Sequence, residues 1–117
     1  MENLMTCKKV QGINVLEFHF NEINLKQREV IKEKLNDLLS GGEIRFIIDL
    51  SKIGFLSSLV IALIVFFAKD VRKKKGKIKL SGLTNEALSI FQLTQLDKIF
   101  ELYQTERDAL ESFKETA

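Results

Sequence analysis

Phe46-Ile47-Ile48-Asp49-Leu50-Ser51-Lys52-Ile53-Gly54-Phe55-Leu56-Ser57-Ser58, followed by an unbroken apolar run over residues 59–68, decides how this chain folds. Residues 43–50 carry Ile44, Phe46, Ile47, Ile48 and Leu50. Short apolar runs of that kind belong to strands covered on both faces, so the segment is read as a central strand. Ser57 or Ser58 then caps a helix that runs towards Lys75 and is stopped by Gly76. Its end carries Arg72-Lys73-Lys74-Lys75, which complements the negative pole of the helix dipole. Residues 53–68 hold no formal charge, but the stretch is short for a bilayer, Lys52 and Lys69 close it, and Ser57-Ser58 interrupt it. A strand, a turn and a buried helix explain it, with no membrane insertion.

Upstream, residues 10–20 alternate imperfectly through Val10, Ile13, Val15, Leu16, Phe18 and Phe20, which predicts an early strand with a hairpin around Gly12-Ile13-Asn14. Asn24 with Gln27 three residues on reads as a helix start, and Val30, Ile31, Leu35, Leu38 and Leu39 follow at helical spacing up to Gly41-Gly42. Downstream, residues 77–80 predict a strand, 84–93 a short helix and 98–103 a last strand. Thr105-Glu106-Arg107-Asp108 opens a terminal helix. Phe91, Leu93, Leu96, Ile99 and Phe100 are assigned to the core. The expectation is one α/β domain over residues 1–117, a mixed β-sheet flanked by about four helices.

The 117 residues are 45% hydrophobic and 29% charged, enough apolar content for a core without staples. Eighteen Lys and Arg against sixteen Asp and Glu leave a net charge of +2, too small to indicate nucleic-acid binding. Cys7 is the single cysteine and His19 the single histidine, so no disulfide, metal-ligand cluster or nucleophile–base pair is recognisable. His19 and Cys7 are read as structural and inert. Asp49 is read as a capping or surface carboxylate, since the sequence clusters no acidic neighbours around it. These observations predict a cytoplasmic protein that is not an enzyme and needs no cofactor or metal.

The block over residues 46–58 resembles the STAS domain family, named for sulphate transporters and anti-sigma-factor antagonists, and is most similar to the free-standing bacterial antagonists. Asn21-Glu22-Ile23-Asn24 stands where the family often has Gly-Asp-Ile-Asp, and Leu93-Thr94-Gln95-Leu96-Asp97-Lys98-Ile99-Phe100 is similar to its late Leu-Thr-Gly-Leu-Asp-Lys segment. The resemblance implies a binding module that docks on an anti-sigma factor, itself a serine kinase, and so releases a sigma factor. It places the phosphate acceptor at Ser58, with Ser57 in reserve. Asn21, Glu22, Asn24, Leu56, Ser57, Ser58, Leu59, Val60, Ala62 and Leu63 are then the expected partner surface. Four positions depart from the family: Ser57 replaces the Asp before the acceptor, Leu59 a Ser or Thr, Val60 a Gly that would allow close backbone approach, and Asn24 an Asp.

Ser58 read without the resemblance is an ordinary helix cap. Related domains also serve lipid transporters and stressosome-like scaffolds without a phosphorylation cycle, and a helix start can hold a nucleotide or small anion directly. These alternatives stay open in the sequence. One inference is independent of the family: at 100° per residue Leu59, Leu63 and Phe66 form a second apolar stripe on the helix after Ser58. Either a neighbouring helix covers that stripe or it is a patch for a partner or a second copy, giving a homodimer.

Overall fold

The computed structural model describes residues 4–115. Its elements run β1 (Met5–Val10), β2 (Ile13–Phe18), α1 (Leu25–Ser40), β3 (Arg45–Asp49), α2 (Ser58–Lys73), β4 (Lys77–Ser81), α3 (Asn85–Leu93), a 3-10 turn (Leu96–Lys98), β5 (Glu101–Tyr103) and α4 (Glu106–Glu115). The strands form one sheet in the order β1-β2-β3-β4-β5, with β1 antiparallel to β2 and the remaining pairs parallel. The sheet is therefore mixed, and β3 is its central strand.

The early strand is a hairpin whose first arm the sequence reading missed. Val10 pairs with Ile13, and Gln11 and Gly12 make the turn with φ of 53° and 82°. Two consecutive positive φ values give the turn whose twist matches paired strands, one position earlier than expected. In β1 the side chains of residues 6–9 are exposed, so that arm leaves no apolar alternation to read. His19 stands at the end of β2, its Nε2 3.1 Å from Thr6 Oγ1 and 3.2 Å from Glu17 Oε1.

The register divides the sheet into two faces. Leu16, Phe18, Phe46, Ile48, Ile78 and Leu80 join the larger core with Ile31, Leu35 and Leu39 of α1, Val60, Leu63, Ile64 and Phe67 of α2, and Ala87 and Phe91 of α3. Phe46 and Phe67 meet edge to face at 4.9 Å, one of the preferred aromatic geometries. The opposite face carries Ile13, Val15 and Ile47 and is covered by Ala109 and Phe113 of α4. Lys79 also lies on this second face, with no exposed surface. Its Nζ donates to Ser112 Oγ at 2.8 Å and sits 4.3 Å from the Phe113 ring centroid, which offsets part of the cost of burying an ammonium group.

Three other expectations change. The last strand is shorter than predicted, because the 3-10 turn takes its beginning. Leu93 and Ile99 lie largely outside the core, 84% and 54% exposed, while Phe91 and Phe100 are buried as expected. Gly76 follows the end of α2, but Lys75 is the residue that takes the left-handed conformation there, with φ 61°. Arg72 donates from Nη2 to the Ile99 carbonyl at 2.8 Å and lies over the Phe100 ring, so it tethers the 3-10 segment as well as facing the dipole. Among the described residues no helix is long and apolar enough to cross a membrane.

Candidate functional site

The loops after β2, β3 and β4 emerge at the carboxyl ends of parallel strands, where open α/β sheets present their binding surfaces. The loop after β3 is fixed from below by Ile53 and Leu56, both buried, while Phe55 between them is 54% exposed. Asp49 starts the turn: Oδ1 accepts the Ser51 amide at 3.0 Å. That is the expected capping role, though its side chain is buried and not at the surface. Gly82, in the loop after β4, packs directly on this turn. A Cβ there would stand 2.5 Å from Asp49 Oδ1 and 2.9 Å from the Ser51 backbone nitrogen, and φ is +74°, so glycine is required on both counts.

Asn21 and Asn24 organise the neighbouring loop in different ways. Asn21 Oδ1 accepts the Gly54 amide at 2.9 Å, tying the β2–α1 loop to the β3–α2 loop. Asn24 forms a complete capping box: the Gln27 amide donates to Asn24 Oδ1 at 2.7 Å and the Asn24 amide to Gln27 Oε1 at 3.0 Å. Its occupation of the cap explains how Asn can stand where the family often has Asp, since both serve equally well there.

The two serines divide their roles. Ser57 is the N-cap of α2, its Oγ accepting the Val60 amide at 3.3 Å. Ser58 is the first helical residue and is exposed. Asp and Ser are comparable caps, so Ser57 in the Asp position preserves the helix start while removing a negative charge beside Ser58. Val60 points into the core and is fully buried.

Of the expected partner surface, Asn21, Glu22, Asn24 and Ser58 are exposed, and Ser57, Leu59 and Ala62 are half-buried. Leu56, Val60 and Leu63 are buried and support this face from beneath, so they are not contacts. The stripe over Leu59, Leu63 and Phe66 accordingly breaks up: Leu59 packs against the core, Leu63 is sealed in it, and Phe66 alone is exposed. Neighbouring α1 is what covers it, since Leu63, Phe66 and Phe67 share a narrow cleft with Arg28, Lys32 and Leu35. The sequence reading missed Phe55 and Leu25, the latter 67% exposed at the start of α1, which add apolar surface to the two linked loops. The signal for Phe55 was its place between two buried residues in a turn.

This geometry gives an anion-tolerant helix start with a free hydroxyl, bordered by polar and apolar side chains on tethered loops. The cleft between α1 and α2 measures about 20 Å³ and a hollow at Arg72, Lys77, Ile99 and Glu101 about 210 Å³; neither includes Ser57 or Ser58. Both fall below the roughly 300 Å³ at which small-molecule sites begin.

The STAS domain model matches residues 6–109, and the chain belongs to that family. It is 25% identical over 112 residues to BtrV of Bordetella bronchiseptica, named as an anti-sigma factor antagonist, with 94% of each chain covered. Among solved structures it is similar to a Thermotoga maritima protein described as an anti-sigma factor antagonist, with 24% identity, 92% of each chain covered and a TM-score of 0.80. It is similar also to phosphorylated SpoIIAA of Bacillus, with 17% identity, 93% of this chain and 98% of that one covered, and a TM-score of 0.73. The five-stranded mixed sheet with four α-helices is the STAS-like fold.

Proposed function

We propose that this chain is an anti-sigma-factor antagonist. It docks on an anti-sigma factor with serine-kinase activity through Asn21, Glu22, Asn24, Phe55, Ser58 and the exposed start of α2, and thereby frees a sigma factor in the cytoplasm. It acts as a binding module and a kinase substrate, and Ser58 is the acceptor. The observation that carries this reading is the division between the serines: Ser57 holds the cap and leaves the Ser58 hydroxyl exposed. A phosphate on Ser58 brings about −1.5 to −2 charges to a face built around a neutral hydroxyl, while the helix N-terminus makes that anion tolerable to the fold.

The test is purification of the tagged chain from its native host with intact-mass measurement, followed by binding of the captured kinase to two variants. Ser58→Ala should bind within about twofold of the parent and accept no phosphate, and Ser58→Asp should bind at least tenfold more weakly, a loss of about 1.4 kcal/mol. Equal binding by both variants would refute control at Ser58. A second reading has its own support in Ser57, which removes the family's acidic residue beside the acceptor. On that reading the chain is a subunit of a transporter or stressosome-like assembly without a phosphorylation cycle. Recovery with a transporter ATPase or a large scaffold, unmodified throughout growth, would establish it instead.

A further inference from the structure

The second face of the sheet brings together groups that lie far apart in the chain. Glu17, Asp49 and Ser81 are successive Cα partners across β2, β3 and β4, so their side chains stand in one row on the face that α4 covers. Glu106, the first residue of α4, reaches the same place. One carboxylate oxygen from each of Glu17, Asp49 and Glu106 lies within 4.8 Å of the others. Oxygen ligands of a Ca²⁺-sized ion, each at about 2.3–2.6 Å, span at most about 5 Å.

A second observation at this place is independent of the acids. Ser81 is fully buried, and its Oγ has no hydrogen-bond partner although it stands in the row beside Asp49. A buried hydroxyl without a partner costs free energy and calls for an explanation. An ion ligated by its neighbours would supply one. The remaining charged and polar groups at the cluster are defined. Lys8 Nζ is 2.9 Å from Glu106 Oε2, His19 Nε2 is 3.2 Å from Glu17 Oε1, and Asp49 Oδ1 takes the Ser51 amide at 3.0 Å.

We propose that Glu17, Asp49 and Glu106, with the Ser81 hydroxyl, form a binding site for a divalent cation of Ca²⁺ size, and that Lys8 is the counter-charge the ion displaces. The donor set is entirely oxygen, which selects hard cations over zinc or copper. Two features keep the affinity modest: Lys8 must leave Glu106, and the amino end of α4 disfavours positive charge. Bound there, the ion ties the first turn of α4 to β2 and β3.

Isothermal titration of CaCl₂ into the full chain at low ionic strength tests this, with far-UV circular dichroism confirming that every variant is folded. Saturable one-to-one binding is expected with Kd on the order of 10⁻⁴–10⁻³ M, the range of weak oxygen-ligand calcium modules. Lys8→Ala should tighten it about two- to fivefold, the scale of an exposed ion pair released. Glu106→Gln, which changes a partly exposed residue and leaves the core intact, should weaken it at least tenfold. Absence of saturable heat below about 10 mM in both the parent and Lys8→Ala, against the millimolar range of such sites, overturns the proposal. Parent-like affinity in a Glu17→Gln, Glu106→Gln double variant overturns it equally.

Discussion

At the first turn of α2 two adjacent hydroxyls differ in consequence. Ser57→Ala removes the acceptor of the Val60 amide and should cost about 0.5–2 kcal/mol in urea unfolding. Ser58→Ala removes an exposed group and should stay within about 0.5 kcal/mol of the parent. The order of the two effects checks which serine is the cap. Gly82→Ala should cost more than about 1 kcal/mol in the same assay, since a left-handed alanine is penalised by roughly that amount even without a clash, and here its Cβ would press on Asp49 and Ser51. The sequence pattern located both serines at the helix start and could not say which one capped it. Nor could it relate Gly82 or Glu106 to Asp49, because those contacts join residues more than thirty positions apart and carry no local signature.

Among the elements, α2 shows why an apolar stripe does not define an interface. Its helical spacing was legible, as were the capping box at Asn24 and the apolar run of β3, each written in adjacent residues; Thr84, read as the first residue of α3, proves to be its cap, with Oγ1 accepting the Ala87 amide at 3.2 Å. Which face met α1 was not, and Leu63 proves to be core. Leu63→Asp should therefore leave the chain unfolded, because a carboxylate would replace a buried leucine worth about 1.5–3 kcal/mol and add its own burial cost. Phe66→Asp on the same helix should give a folded protein with a near-parental melting temperature. Circular dichroism on the pair separates the two positions directly. The missed strand β1 has the opposite cause: it is held by backbone pairing to β2, and its outward side chains carry no periodic signal. Leu93 and Ile99 were assigned inward on apolarity alone, a rule that holds poorly at the ends of short elements.

For the molecule as a whole, stability depends on links that cross the sheet. Asn14 Nδ2 donates to Glu43 Oε1 at 2.9 Å and Lys9 Nζ to Glu43 Oε2 at 2.6 Å, joining both arms of the hairpin to the segment that enters β3. The Asn14 hydrogen bond first, and Lys9 next, hold the Glu43 carboxyl below its ordinary range. A depressed carboxyl contributes stability that is present above its unfolded value and lost as pH falls through the folded one. The urea midpoint should thus decline from pH 5 towards pH 3, and Glu43→Gln should flatten that decline while lowering the midpoint at neutral pH. The capping arrangement also reaches beyond the fold. Because Ser57 and not Ser58 secures the helix, a molecule phosphorylated at Ser58 as proposed and one without phosphate should melt within a few degrees of each other. On the proposed function, its pool would then be recycled by a phosphatase many times over without loss of material.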